Sequence, residues 1–588
     1  MAYGVLLMHV ARGVGLVADR SRAAPFFWLA GIILLAVESN HLPMTPSEQQ
    51  ADLILTGGRV WAGPGTPLEG IGAPTAVAIG GGRVLAMGSN AEIERHVGPR
   101  TSRFDLGGRR VVPGFMDAHT HFVSGGFSLA GVQLRDAATP EEFARRIGAF
   151  ATAHPGEWML GGTWDHELWG GELPRRDWID SFTGDTPVFV SRLDGHMALA
   201  NSRALALGGV TDGTPDPAGG AIVRDANGRA TGILKDEAMT LVFSVIPSPT
   251  AAQYDRALEA AARHAVARGV TMVTDMGSWD DLEAYRRARA RDALPLRVYS
   301  LVPMATWRRL ADFVDREGRG DRRLFWGGVK AFVDGSLGST TAWFYEPYDD
   351  APGTTGLMVT DTASLRDAIL ASDSAGLHVI VHAIGDRAND WLLDAYAAAR
   401  SSNGAGDRRF RIEHAQHLTR DAIHRIAREG VVASMQPYHA IDDGRWAEKR
   451  IGRERIRTTY AFRDLLAAGA HLAFGSDWTV APIDPLLGIY AAVTRRTIDG
   501  ANPEGWVPEQ MITVAEAVTA YTEANAYAAF VESDLGTLAP GKLADLVVLS
   551  DDIFSIDPVA IAEVRVDVTV VEGKVVYDRQ SGVGRRRQ

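Results

Sequence analysis

From Ala51 onward, short apolar runs with every second position branched or bulky are separated by glycine pairs: ADLILTGGRVW, then TAVAIGGGRVLAMG, then RFDLGGRRVVPG. Alternation of this kind predicts half-buried strands, and the glycines supply the positive-φ turns between them. The same texture returns near the C-terminus in GKLADLVVLS and VDVTVVEGKVVYD. Neither end has enough strands to bury a face alone, so residues 51–110 and 535–580 are expected to build one small β-sandwich together. Between them the pattern changes to apolar runs alternating with amphipathic stretches, as parallel βαβ units require. Eight strands are predicted, at 112–117, 270–275, 297–302, 329–333, 378–382, 411–414, 431–436 and 472–476, with helices such as 362–375 and 387–400 between them. The predicted fold class is α/β: a (β/α)8 TIM barrel over 111–534, joined to a β-sandwich formed by both ends of the chain.

A barrel of eight such units takes about 250 residues, and the span here is longer by roughly 140. The surplus lies between the first and second strands. It predicts an insertion over 126–266 with its own strand at 187–193 and a hairpin at 221–235 turning at Asn227-Gly228. Trp158, Trp164, Trp169 and Trp178 crowd its first part. Indoles are packing residues before anything else, so a private core is expected, with an aromatic lid over the barrel mouth as the alternative.

Composition removes several function classes. There is no cysteine, hence no disulfide, no thiolate metal site and no cysteine nucleophile. Acidic residues outnumber basic ones by 72 to 60, a formal charge of −12, and the only basic cluster is Arg585-Arg586-Arg587 in the tail. A nucleic-acid partner is therefore not expected; a small-molecule substrate is, with a homodimer open. Residues 1–50 form an N-terminal extension. Its apolar run 24–37 follows Arg12, Arg20 and Arg22 and is short of the roughly 20 residues of a membrane span. It suits the core of a secretory signal, although no clean small-x-small site follows. A start at Met44, which leads directly into the strand pattern, would make the protein cytoplasmic. A retained signal or anchor would make it exported or membrane-tethered, and an ordered extension is the third alternative.

In such barrels the chemistry sits at the C-terminal ends of the strands. The polar residues that close the apolar strands are His119 and His121 after Met116-Asp117-Ala118, Lys330 after Gly328-Val329, His382 after Val379-Ile380-Val381, His414 after Ile412-Glu413, and Asp477 after Phe474-Gly475-Ser476. His119 and His121 are two apart, so on an extended backbone both rings point to the same side, toward the barrel axis. Any one of these histidines alone reads as a satisfied core residue; four His, one Lys and one Asp at inward strand ends read as a metal site. Lys330 is one of five lysines, with Lys235, Lys449, Lys542 and Lys574, among 60 basic residues. An inward ammonium beside cations is repelled and costly to bury. Its amine is expected to be neutral or modified, and carbamylation by CO2 would make it an anion with two oxygens, able to bridge two metals. A salt bridge to Asp334 or another carboxylate is the alternative.

The order of these ligands, with PGFMDAHTH at 113–121, VKAFVDGSLGS at 329–339, HAIGDRA at 382–388, RIEHAQ at 411–416, FGSDW at 474–478 and PGKLADLVVL at 540–549, resembles the amidohydrolase superfamily. Within it the chain resembles the YtcJ-like branch, which includes N-substituted formamide deformylases, over residues 51–578. The resemblance implies two divalent metal ions, the more buried held by His119, His121 and Asp477, the more exposed by His382 and His414, with carbamylated Lys330 and a hydroxide bridging them. Imidazole and carboxylate ligands suit Zn2+, with Mn2+, Co2+ or Fe2+ as alternatives. It further implies hydrolysis of the non-peptide amide C–N bond of a small N-acyl or N-formyl compound, with Asp477 taking the proton of the attacking water and returning it to the leaving amine. His196, in an Asp194-Gly195-His196 signature, is the candidate for orienting the carbonyl or its oxyanion, a structural histidine being the alternative. Trp164, Asp165, Tyr438 and His439 are weaker candidates for substrate contact. Lys235 and Asp236, beyond the hairpin, read as structural or exposed, and Gly335-Ser-Leu-Gly-Ser as a tight turn rather than an anion cradle. Competing functions are a lactone or ester hydrolase, an aromatic-base deaminase with one metal and no bridging lysine, and, in another class, an inert barrel serving as a binding or membrane-tethered scaffold.

Overall fold

Eight parallel strands follow one another in chain order around a single sheet: β1 (Phe115–Thr120), β2 (Val270–Asp275), β3 (Arg297–Pro303), β4 (Leu324–Phe332), β5 (His378–Ala383), β6 (Arg411–His414), β7 (Val432–Met435) and β8 (His471–Phe474). This is the fold of a computed structural model that describes residues 49–582. The expectations for the apolar run 24–37, a start at Met44 and the basic tail 585–587 lie outside those residues. Among the described residues no helix is long and apolar enough to cross a membrane.

The sheet is nearly closed. Between β8 and β1, Thr120 pairs in parallel with Trp478, the Asp477 N–H donates to the His119 carbonyl at 2.7 Å and the His121 N–H to the Trp478 carbonyl at 2.8 Å. Strands β1, β2 and β5 are buried at every position, as in a parallel sheet covered on its outer face by helices. The helix Ala251–Val266 shows why these coverings form. Thr250 caps it by accepting the Gln253 N–H, and Ala257, Ala261 and Ala265, four residues apart, give it a narrow buried stripe. Small residues with high helix propensity let it lie close to the barrel.

The first strand departs from its predicted span of 112–117. The run breaks at Gly114, where an added Cβ would meet Thr271 Oγ1 at 2.4 Å. Arg110–Pro113 instead joins a five-stranded sheet with Arg59–Val60, Leu546–Leu549, Val566–Val571 and Lys574–Asp578. Opposite it stands a four-stranded sheet of Arg83–Gly88, Ala76–Gly80, Leu53–Thr56 and Ser102–Asp105. Leu55, Val77, Ile79, Val111, Leu546, Val548, Val568 and Val570 fill the space between the two. Because β1 begins only at Phe115, His119 falls inside the strand and His121 directly beyond it.

Residues between β1 and β2 fold around a six-stranded sheet in the order Gly220–Arg224, Ala230–Asp236, Met197–Ala200, Val188–Arg192, Met159–Trp164 and Val132–Gln133. One apolar cluster holds Trp164 with Trp169 and Trp178 packed against it, and another is flanked by Trp158. All four tryptophans thus pack within this unit. Its loops are tied to the barrel by charge: Arg445 reaches Asp165 at 2.7 Å, and the Ser339 hydroxyl donates to Asp194 at 3.0 Å.

Candidate metal centre

At the C-terminal end of the barrel, His119, His121, Lys330, His382, His414 and Asp477 line one open cleft, together with Arg192, His196 and His439. His119 Nε2 and His121 Nε2 lie 3.4 and 3.3 Å from Asp477 Oδ1. Ligands 2.0–2.1 Å from a tetrahedral zinc are separated by about 3.3 Å, so Asp477 Oδ1 already stands from each ring nitrogen at the spacing that a cation requires, and all three donors lie within 4.8 Å of one another. His119 Nε2 and Asp477 Oδ1 are buried with no hydrogen-bond partner. Two buried acceptors that face one another without a proton between them are unfavourable until a cation sits there.

The far side of each ring explains which nitrogen is presented. His119 Nδ1 donates to Glu413 at 2.6 Å, and Glu413 in turn accepts from Arg411 at 2.9 Å and from the Ser434 hydroxyl at 2.8 Å. His414 Nδ1 donates to Gln436 Oε1 at 2.8 Å, and His382 Nε2 to the Gly335 carbonyl at 3.0 Å. The nitrogens left over are His119 Nε2, His414 Nε2 and His382 Nδ1. Burial holds all three rings well below the ordinary imidazole pKa, so they are neutral, as ligands must be. Carboxylate–histidine pairing of this kind typically contributes 10–100-fold in metal affinity. Glu413→Gln is expected to weaken metal binding by about that factor, measured by titrating the metal-free protein; unchanged affinity would leave Glu413 a purely structural group.

Backbone strain marks the same place. His414 (φ 78°) and Asp477 (φ 56°) sit in the left-handed region although neither is glycine, at a cost of about 1–3 kcal/mol each. Asp117 accepts the N–H groups of His119 at 3.1 Å and Ser476 at 2.9 Å, locking β8 against β1. Gly475 permits that approach, since a Cβ there would be 2.5 Å from the His119 nitrogen.

Lys330 is buried among these groups, with Nζ lacking any hydrogen-bond partner and lying 4.7 Å from the centre of the Phe332 ring. The alternative of a salt bridge to Asp334 is not formed. The Asp334 carboxylate accepts N–H groups from Trp343, Ile384 and Gly385 at 2.7–3.0 Å. Burial lowers the Lys330 amine to about 8, against the opposing pull of Glu413 and Asp477.

The insertion supplies one wall. His196 lines the cleft, its ring centre 5.2 Å from that of His382, and its Nδ1 donates to Asp236 at 2.6 Å. Asp236 is therefore not exposed: its side chain is 1% accessible, and it ends the strand Ala230–Asp236 with the carboxylate turned inward to hold that ring. Lys235 donates to the Ser339 carbonyl at 2.8 Å and ties the hairpin to the loop after β4. That loop is a turn, closed by the Gly335 N–H on the Thr341 carbonyl at 3.1 Å. Trp164 does not reach the cleft; it is fully buried in the insertion core, donating its indole N–H to the Val190 carbonyl at 2.8 Å. Asp165 is engaged by Arg445 and Arg192 and Tyr438 packs beside Arg135, and neither is among the lining residues, whereas His439 is. Sequence reasoning missed Arg192, Glu413 and Gln436. The signal available for the first two was a charged residue inside an otherwise apolar strand.

Residues 103–577 match the family described as "Amidohydrolase family". The chain belongs to this family. The chain is 42% identical to "Protein LONG AFTER FAR-RED 3" of Arabidopsis thaliana, over 90% of this chain and 92% of that protein. It is 33% identical to the "Putative amidohydrolase YtcJ" of Bacillus subtilis (86% and 96% covered) and 30% identical to the "N-substituted formamide deformylase" of Arthrobacter pascens (86% and 95%). A solved structure of an "uncharacterized metal-dependent hydrolase" from Pyrococcus horikoshii superposes with a TM-score of 0.71 at 30% identity, covering 86% of this chain and 99% of that one. This amidohydrolase is thus a metal-dependent hydrolase of the YtcJ-like branch.

Proposed function

We propose that the protein hydrolyses the amide C–N bond of a small N-acyl or N-formyl compound, using two divalent cations held by His119, His121, Lys330, His382, His414 and Asp477. The observation that carries this reading is the meeting, in one cleft, of three buried polar atoms without partners: His119 Nε2, Lys330 Nζ and Asp477 Oδ1. The chemistry of the donor set favours zinc. Divalent ions bound there lower the pKa of water and polarise the carbonyl under attack.

The protein's own groups do the rest. Lys330 takes part as its carbamate, which replaces an ammonium with two anionic oxygens where cations gather. Asp477 accepts the proton of the attacking water and hands it to the amide nitrogen, which leaves poorly unless protonated. Against the effect of burial, the hydrogen bond to Asp236 raises the pKa of His196; protonated on both nitrogens, the ring presents Nε2–H as a donor to the carbonyl oxygen as negative charge develops on it. The named activity of the Arthrobacter relative supports the amide over an ester. The test is a panel of N-formyl, N-acetyl and longer N-acyl amines with the metal-loaded protein. Amine release that a chelator abolishes and zinc restores is expected; cleavage of esters or lactones with none of the amides would overturn the substrate class.

A further inference from the structure

His439 has no part in the reading above. It stands on the helix Pro437–Asp443 that follows β7, lines the cleft and is 9% exposed. Its Nε2 is buried without a hydrogen-bond partner. Its ring lies nearly parallel to that of His414, at 12° and 6.3 Å between centres. The donor atoms of His414, His439 and Asp477 all fall within 4.8 Å of one another. We infer that these three side chains form a second cradle for the outer cation, alternative to the one made by His382, His414 and Lys330. The inference rests on the two-cation reading.

His414 fixes the relation between the two cradles. Its Nδ1 is committed to Gln436, so only Nε2 is left and it can serve one ion at a time. The cradles are mutually exclusive, and occupancy stays at two ions per chain. Donors spread over 4.8 Å close to the roughly 3.3 Å spacing of a tetrahedral zinc shell with side-chain shifts on the order of 1 Å. The second cradle contains no lysine. While Lys330 is a carbamate, its oxygens draw the outer ion toward His382. Without the carbamate, the amine offers no anionic oxygen. His414, His439 and Asp477 would then be the donors left to hold the outer cation.

The test is a Zn2+ and Co2+ titration of the metal-free full-length protein as wild type, Lys330→Ala, His439→Asn and the double variant. Asparagine keeps the bulk of histidine but does not reach the position of Nε2. Lys330→Ala is expected to bind two ions, the second more weakly than in wild type. The double variant should lose that second ion by a further factor of about ten or more, together with its Co2+ absorption band. If Lys330→Ala binds one ion only, or if the double variant holds the second ion as tightly as Lys330→Ala, the inference is overturned. If the wild type binds none, the two-cation reading itself fails, a result distinct from either. Should His439→Asn not fold, His439→Phe keeps the ring stacked on His414 without a donor and gives the same comparison.

Discussion

Lys330→Ala lowers turnover of an amide substrate by about a thousandfold or more, equivalent to about 4 kcal/mol of transition-state stabilisation, and short carboxylic acids restore part of it. Truncation removes the group proposed to carry two anionic oxygens and leaves a space lined by Phe332 and the ligand imidazoles. Formate, acetate or propionate can place a carboxylate there. The fold of the metal-free protein should not suffer, because Nζ makes no hydrogen bond and no ion pair and deleting an unpaired buried amine removes a desolvation penalty. The thermal midpoint is therefore expected to stay unchanged or rise. Steady-state kinetics with and without added carboxylic acid decide the matter: full activity without rescue removes the carbamate, and a large fall in midpoint makes Lys330 a structural residue.

Asp477→Asn is expected to lose turnover by about 10²–10⁴-fold, the span usual for a general acid–base group, while still holding at least one metal ion. The amide is nearly isosteric and retains one oxygen for coordination, so His119 and His121 keep a third donor. It cannot accept the water proton. The left-handed backbone at this position is tolerated by asparagine better than by most residues, so the variant isolates chemistry from folding. Metal content measured beside turnover separates the two roles. Unchanged turnover would exclude Asp477 as the proton carrier; loss of all metal would make it a ligand alone.

The parts of this site that lie on barrel strands were legible in the sequence. A buried parallel strand is apolar almost throughout, and a histidine, lysine or aspartate at its end stands out. His119, Lys330, His382, His414 and Asp477 announced themselves in this way, and the two-residue spacing placed His121 beside His119. The break at Gly114 was not legible, since 112–117 has the texture of one continuous strand and only the close approach of Thr271 divides it. Nor was the pairing of His196 with Asp236, 40 residues apart on an insertion whose strand order, Gly220–Arg224 beside Ala230–Asp236 beside Met197–Ala200, places the end of a hairpin against an earlier strand. Asp236 therefore read as structural or exposed. Trp164 and Asp165 read as weaker candidates for substrate contact, but Trp164 ends a strand of the insertion sheet and turns into that sheet's own core. His439 was picked only for following β7; its unpartnered nitrogen and its distance from Asp477 belong to the folded chain.

The most direct test of the whole account is elemental analysis of the protein purified in metal-replete buffer. The proposed pair of cations predicts close to two divalent ions per chain; a value near zero would contradict it.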